Sequence, residues 1–262
     1  MAADKARDNW SSLSLDERRK WLEKIANALE ARSDEIAKLE SLDTGKPIKI
    51  ARAVDASRSV ANFRFFAEFS KDFHEQKFLM EDATNHVIFK PVGIAGLITP
   101  WNLPLYLLSW KIAPAIVMGN TVVAKPSELT PLTANLLAEV FDEVGLPAGV
   151  VNIVHGFGHE TGQAIVSHPH VNLISFTGGT ITGKKVAETA APMFKKLSLE
   201  LGGKNATIVL DDVNLDSAIP EIARSGFLNQ GQVCLCGSRI LVSDKIWDDF
   251  LEKFIDHVSN MK

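Results

Sequence analysis

Two cysteines, Cys234 and Cys236, are the only thiols in the chain, and the first stands where a nucleophile would be useful. The run Phe227-Leu-Asn-Gln-Gly-Gln-Val-Cys234-Leu-Cys236-Gly-Ser-Arg239 follows apolar residues at helical intervals over 218–227 and precedes the β-rich Arg239-Ile-Leu-Val242. This spacing predicts a helix ended by left-handed backbone near Gly231, then a connection, then a strand. A thiol on such a connection is partly exposed, and exposure separates a reactive cysteine from one that fills space in a core. In Leu197-Ser-Leu-Glu200-Leu-Gly-Gly-Lys-Asn205 a carboxylate lies among apolar residues, where its charged form is disfavoured, so Glu200 reads as a candidate general base. In Leu97-Ile-Thr-Pro-Trp101-Asn102-Leu-Pro-Leu105 a side-chain amide leaves a strand between two prolines, a placement that suits an oxyanion donor.

Four motifs in this order, Pro-Trp-Asn, Val-Ala-Lys-Pro-Ser-Glu, Leu-Glu-Leu-Gly-Gly-Lys and Phe-x-x-x-Gly-Gln-x-Cys, resemble the NAD(P)-dependent aldehyde dehydrogenase superfamily, and the resemblance covers essentially the whole chain. It implies that Cys234 attacks an aldehyde, that Asn102 and a backbone N–H hold the oxyanion, and that Glu200 activates the water that hydrolyses the resulting thioester. Cys236 falls where the family pattern asks for no particular chemistry. The resemblance makes NAD the expected cofactor. It assigns Trp101 to the cofactor side and gives Lys125 and Glu128 the adenine ribose, where an acidic side chain accepts from the 2′-hydroxyl and repels a 2′-phosphate.

Two glycine patterns compete for the phosphates. Gly156-Phe-Gly158-His-Glu-Thr-Gly162 follows a strand, but its third glycine is one residue late for the dinucleotide fingerprint, and a tight turn explains it equally well. Phe176-Thr-Gly178-Gly179-Thr180-Ile-Thr-Gly183 resembles the family's pyrophosphate turn, with backbone amides at a helix start facing the cofactor. The family commonly has serine where Gly179 stands, which leaves Thr180 or bare amides for the phosphate. The segment Arg58-Ser-Val-Ala-Asn-Phe-Arg-Phe-Phe66, with Tyr106-Leu-Leu-Ser-Trp-Lys111, resembles the branch that oxidises muconic semialdehydes. That likeness implies that the Arg58 guanidinium grips a substrate carboxylate. Two other readings stay open: a nucleotide-binding or structural protein without turnover, and a thiol redox or ester-hydrolysing protein that needs no nicotinamide.

The elements that must position these residues are legible as patterns. Ser14-Leu-Asp-Glu17 is a capping box that opens an amphipathic helix with Trp21, Leu22, Ile25 and Leu29 on one face. A second helix starts near Ser33 and stops at Asp43-Thr-Gly45-Lys-Pro47; a third spans 54–69, with Phe63, Phe65, Phe66 and Phe69 expected in the core. Strands at 87–89, 94–98, 121–124, 150–154 and 173–176 alternate with helices at 105–117, 130–144, 160–167 and 183–191. Regular alternation implies right-handed crossovers and an α/β fold with a parallel, doubly wound, Rossmann-like sheet.

The expected division is an NAD-binding domain at 1–72 and 92–202, a hairpin at 73–91, and the beginning of an α/β catalytic domain at 203–262. The hairpin, read as polar and turning at Asp82-Ala-Thr-Asn85, resembles the family's subunit-pairing arm, so a homodimer or homotetramer is expected. The last amphipathic helix, through Trp247, Phe250, Leu251, Phe254, Ile255 and Val258, is expected to have no core to cover, because the family's complete subunit continues well beyond it. With 262 residues, 46% hydrophobic content and a net charge of −4, the chain can bury a sizeable core and has no basic cluster for nucleic acid. It lacks the apolar core of a signal peptide and any window of the ~18 apolar residues a membrane span needs. Two cysteines at i, i+2 form neither a structural zinc site nor a disulfide framework, so no metal and a reducing, cytoplasmic setting are expected.

Overall fold

A computed structural model describes residues 1–73 and 75–261. The chain divides into two compact units, Met1–Glu200 and Leu201–Lys262. The first opens with three helices, α1 (Ala2–Ser12), α2 (Leu15–Ala31) and α3 (Ser33–Thr44). The capping box forms as expected: Glu17 N donates to Ser14 Oγ at 3.2 Å and Ser14 N to Glu17 Oε2 at 2.7 Å. Gly45, at φ 73°, ends α3 in the left-handed region that glycine adopts without steric cost.

A single turn, α4 (Ile48–Ile50), and a π-helical stretch at Ala51–Ala56 lead into α5 (Ser57–Phe69). The helix expected from residue 54 therefore starts inside a widened turn. Of its aromatics, Phe63 is fully buried and Phe66 half-buried, but Phe65 and Phe69 are exposed and stack with ring centroids 5.7 Å apart. Spacing explains the correction, since residues 65 and 69 share the helix face opposite Phe63.

The hairpin of β1 (Gln76–Leu79) and β2 (Thr84–Val87) pairs antiparallel, Gln76 with Val87 and Leu79 with Thr84. Its turn closes through Met80 N to Ala83 O at 2.8 Å, two residues before the expected place, and the strand expected at 87–89 keeps only Val87. Its surface is mixed rather than uniformly polar, with Phe78, Leu79, Met80, Ile88 and Phe89 exposed beside Lys77, Asp82 and Asn85.

The main sheet has the order β5-β4-β3-β6-β7, with β3 (Ile94–Ile98), β4 (Thr121–Lys125), β5 (Val151–Ile153), β6 (Val171–Gly178) and β7 (Lys196–Leu201). Strand β3 pairs parallel with β4 and β6, and β4 with β5. The expected parallel, doubly wound α/β sheet is thus present. Its connections are α6 (Pro104–Val117), α7 (Leu132–Glu143), α8 (Gln163–Ser167) and α9 (Thr180–Ala190). The principal core joins Ala95, Leu97, Val122 and Ala124 to α6, α7 and the amino-terminal helices. On the other side of β3, a Cβ at Gly96 would stand 2.6 Å from Ile165 Cγ2, so only glycine lets α8 approach. The chain runs β3, β4, β5 in one direction and then crosses to β6 on the far side of β3, which opens a crevice at the carboxyl ends of β3 and β6.

In the second unit β8 (Ala206–Val209) pairs parallel with β9 (Arg239–Val242) through α10 (Leu215–Phe227), and α11 (Trp247–Ser259) follows. Contrary to expectation, α11 does cover a core. Phe250 is buried with Val209, Leu215, Ile219 and Ile222, and Phe254 packs against them, while Trp247, Leu251 and Ile255 stay exposed. No helix among the described residues is long and apolar enough to cross a membrane.

Candidate active site

The crevice gathers most of the residues singled out in the first unit. After β3 come exposed Trp101 and half-buried Asn102, just ahead of Pro104 at the first position of α6, where a missing N–H costs nothing. After β4, Lys125 is buried, and its Nζ donates to Glu128 Oε2 and to Pro126 O, each at 2.9 Å. The lysine bond is the main reason the Glu128 carboxyl is held below its ordinary range, so Glu128 is an anion with a fixed orientation.

The two glycine patterns receive different structures. Gly158–Gly162 is a π-helical turn, and a Cβ on Gly162 would meet the Lys125 side chain at 3.7 Å. Gly156, at φ 141°, supplies the sharp bend ahead of it. The second pattern is a strand end followed directly by a helix: β6 closes at Gly178, Gly179 is the N-cap of α9, and Gly183 N donates to Gly179 O at 2.9 Å. A Cβ on Gly179 would meet nothing within 4 Å. Gly179 therefore leaves open space beside the start of α9, the positive end of that helix.

Glu200, near the end of β7, is exposed, which corrects the expectation of an apolar setting. Strand β7 is the sheet edge, and its side chains are exposed or half-buried throughout. Glu200 nevertheless lines a cavity of about 330 Å³ with Phe66, Trp110, Lys111, Leu173 and Ser175. Lys111, 6% exposed, donates to Ser175 Oγ at 2.7 Å. Burial pushes its ammonium down to about 8, and the charge of Glu200 opposes that fall. Lys111 closes the Tyr106–Lys111 segment, which gave it no role of its own; a lysine in the apolar stretch of α6 is the signal that sets it apart. Arg58 is exposed on α5, with its guanidinium 5.3 Å from the Tyr106 ring and Nη2 3.4 Å from the Tyr106 hydroxyl.

In the second unit Cys234 is exposed and Cys236 buried. Helix α10, capped by the Asn214 side chain on Ser217 N, ends at Phe227. Asn229, Gln230 and Gly231 then follow with φ of 53°, 56° and 71°, so the left-handed backbone expected at one glycine occupies three successive residues. Two of them carry side chains that disfavour it. Asn205 Nδ2 donates to Cys234 O at 2.6 Å and to Cys236 O at 3.3 Å. Gly237 has Thr207 Oγ1 only 2.2 Å from where a Cβ would stand, so the thiol turn lies tightly on β8. Asn205, the last residue of the Glu200 segment, is thus the clamp of that turn.

A model described as the aldehyde dehydrogenase family matches residues 1–262. The chain is 51% identical to the 2-aminomuconic semialdehyde dehydrogenase of Homo sapiens over 263 residues, covering 100% of this chain and 54% of that protein. The crystal structure of a putative aldehyde dehydrogenase from Burkholderia cenocepacia superposes with a TM-score of 0.97 at 46% identity, over 100% of this chain and 54% of that one. The NAD⁺ complex of an aldehyde dehydrogenase from Bacillus cereus gives 0.96 at 39% identity, with the same two shares of 100% and 54%. The chain thus spans about half the length of the relatives it matches.

Proposed function

The chain belongs to the aldehyde dehydrogenase family, and on that premise we propose that it serves the NAD-dependent oxidation of an aldehyde to a carboxylic acid, with a carboxylate-bearing semialdehyde of the muconic type as substrate. The observation that carries this reading is the convergence of Trp101–Asn102, Lys125–Glu128 and Gly178–Thr180 on the carboxyl ends of neighbouring parallel strands.

The residues present fit a dinucleotide. The open first turn of α9 offers amides to a pyrophosphate, and the oriented Glu128 carboxylate suits ribose hydroxyls and opposes a 2′-phosphate. When bound, NAD supplies the hydride acceptor. Cys234 as thiolate adds to the aldehyde carbon, and the oxygen that becomes anionic is held by the Asn102 amide and the Cys234 N–H. Loss of hydride from that carbon leaves a thioester on Cys234. Glu200 takes a proton from water as the water attacks the thioester, and the carbon–sulfur bond breaks to release the acid and restore the thiolate. The exposed Arg58, steadied by Tyr106, binds the distal carboxylate of the substrate.

The 51% identity to the human 2-aminomuconic semialdehyde dehydrogenase supports the substrate class. The exposed apolar side chains of the β1–β2 hairpin support its use as a subunit-pairing arm in a homodimer or homotetramer. Mixing the protein with NAD and 2-aminomuconic or 2-hydroxymuconic semialdehyde, and following NADH absorbance against a Cys234→Ser control, tests the reading. NADH formed by the parent alone is expected; NAD binding without NADH would reduce the proposal to a nucleotide-binding chain.

A further inference from the structure

Beneath the Asn102 turn lies a buried charge cluster that the reaction just described does not use. Lys46 is 1% exposed and Asp55 0%, and Lys46 Nζ donates to Asp55 Oδ1 at 3.0 Å and Oδ2 at 2.9 Å. The same ammonium donates to the main-chain carbonyl of Asn102 at 3.1 Å. Both ends of this contact are built rather than incidental. Lys46 follows the left-handed Gly45, Ser41 Oγ donates to its carbonyl at 2.7 Å, and its own N–H donates to Thr44 Oγ1 at 3.3 Å. Asp55 sits in the π-helical stretch ahead of α5, a local distortion that recurs at functional sites, and its carbonyl accepts from Ser59 Oγ at 2.6 Å.

A second hold lies three residues on. Glu40 Oε1 accepts from Leu105 N at 2.9 Å, an orphan amide of the first turn of α6, and from Thr133 Oγ1 at 2.7 Å. The segment that carries Asn102 is therefore fixed at residue 102 by Lys46 and at residue 105 by Glu40.

Stability alone does not call for this arrangement, since a buried ion pair is commonly replaced by apolar side chains of equal volume without loss. What an ammonium does that an apolar side chain cannot is hold a carbonyl at hydrogen-bond distance. We propose that Lys46, neutralised by Asp55, is a positioning residue that sets the main chain at Asn102 and so aims the oxyanion donor; the inference rests on the role given to Asn102 above.

The test removes both charges together, because Lys46→Met alone strands a buried carboxylate. Lys46→Met/Asp55→Leu is compared with Asn102→Ala and with the triple variant, and Lys46→Leu/Asp55→Val serves if the first pair does not fold. A misplacement of about 1 Å costs on the order of a hundredfold, so kcat is expected to fall roughly ten- to a hundredfold while the NAD KM stays within about twofold. In the Asn102→Ala background the pair should cost less than about twofold, because the group it aims is gone. Amide exchange over 101–107 should quicken at least about tenfold in the double variant, with α7 unchanged; this is read whether or not the chain turns over.

Turnover kept in the double variant but lost in Asn102→Ala overturns the inference and leaves the function standing, and so do losses that simply add. Unchanged exchange at 101–107 overturns it as well. Full turnover in Asn102→Ala brings down the reading of Asn102 and the inference with it.

Discussion

Two turns carry the candidate chemistry, and they are held in opposite ways. The Asn102 turn is anchored by charge: a buried lysine fixes one carbonyl, a buried glutamate one amide, and both come from α3 and the turn after it. The Cys234 turn is anchored by backbone and by neutral groups, through three left-handed residues, one amide clamp from Asn205 and a glycine pressed onto β8. An oxyanion donor must already be in place when charge develops, so rigid and costly anchoring suits it. A thiol that is in turn free, bonded to carbon and free again needs exposure and a turn set by short-range contacts. On the proposed reading the buried charges set the aim of Asn102, and the left-handed turn leads to an exposed Cys234.

Perturbing each turn in order of expected effect sharpens this contrast. Cys234→Ser should abolish NADH formation, because a serine hydroxyl gives up its proton far less readily than a thiol and so supplies almost no anionic nucleophile; residual turnover above background would remove Cys234 from the mechanism. Asn102→Ala should lower turnover on the order of a hundredfold, the usual cost of one oxyanion donor, as read in steady-state kcat with saturating NAD.

The charge-anchored turn should also respond to pH. Burial, reinforced by Asp55, pushes the Glu40 carboxyl from 4.5 up to about 7. A raised folded value means that the contribution is fully present below 4.5 and is lost as pH rises through about 7. Urea unfolding of the parent and of Glu40→Gln between pH 4.5 and 7 should show their stability difference shifting steadily in the variant's favour; parallel curves would deny that Glu40 titrates there.

The strained turn should respond to relief instead. Asn205→Ala removes two hydrogen bonds and should cost about 1–2 kcal/mol, measured by denaturant midpoint. Gln230→Gly at φ 56° should gain up to about 1 kcal/mol, since a left-handed side-chain residue costs roughly that much. A loss on that substitution would show the Gln230 side chain to be worth more than the strain.

The same contrast governs what could be read beforehand. The strand and helix alternation from Ile94 to Ala190 is visible because buried parallel strands and amphipathic helices have distinct periods, and it locates the crevice. The Cys234 connection is visible because glycine and asparagine mark turns. Lys46 and Asp55 give no such mark: a lysine between glycine and proline and an aspartate nine residues on read as solvated charges, and only tertiary packing makes them partners. Glu200 misled for the reverse reason. Its apolar neighbours in sequence lie along an edge strand, and they do not bury it. Phe65 and Phe69 read as core by residue type, although their helical phase points them outward.

The most direct test of the central claim uses Glu200→Gln, in which the last step is blocked. Mixed with NAD and 2-hydroxymuconic semialdehyde and analysed by mass spectrometry, the variant should release about one NADH per active chain and carry the acyl group as a thioester on the peptide containing Cys234. NADH formed while Cys234 stays unmodified, or continuous turnover at the parent's rate, would contradict it.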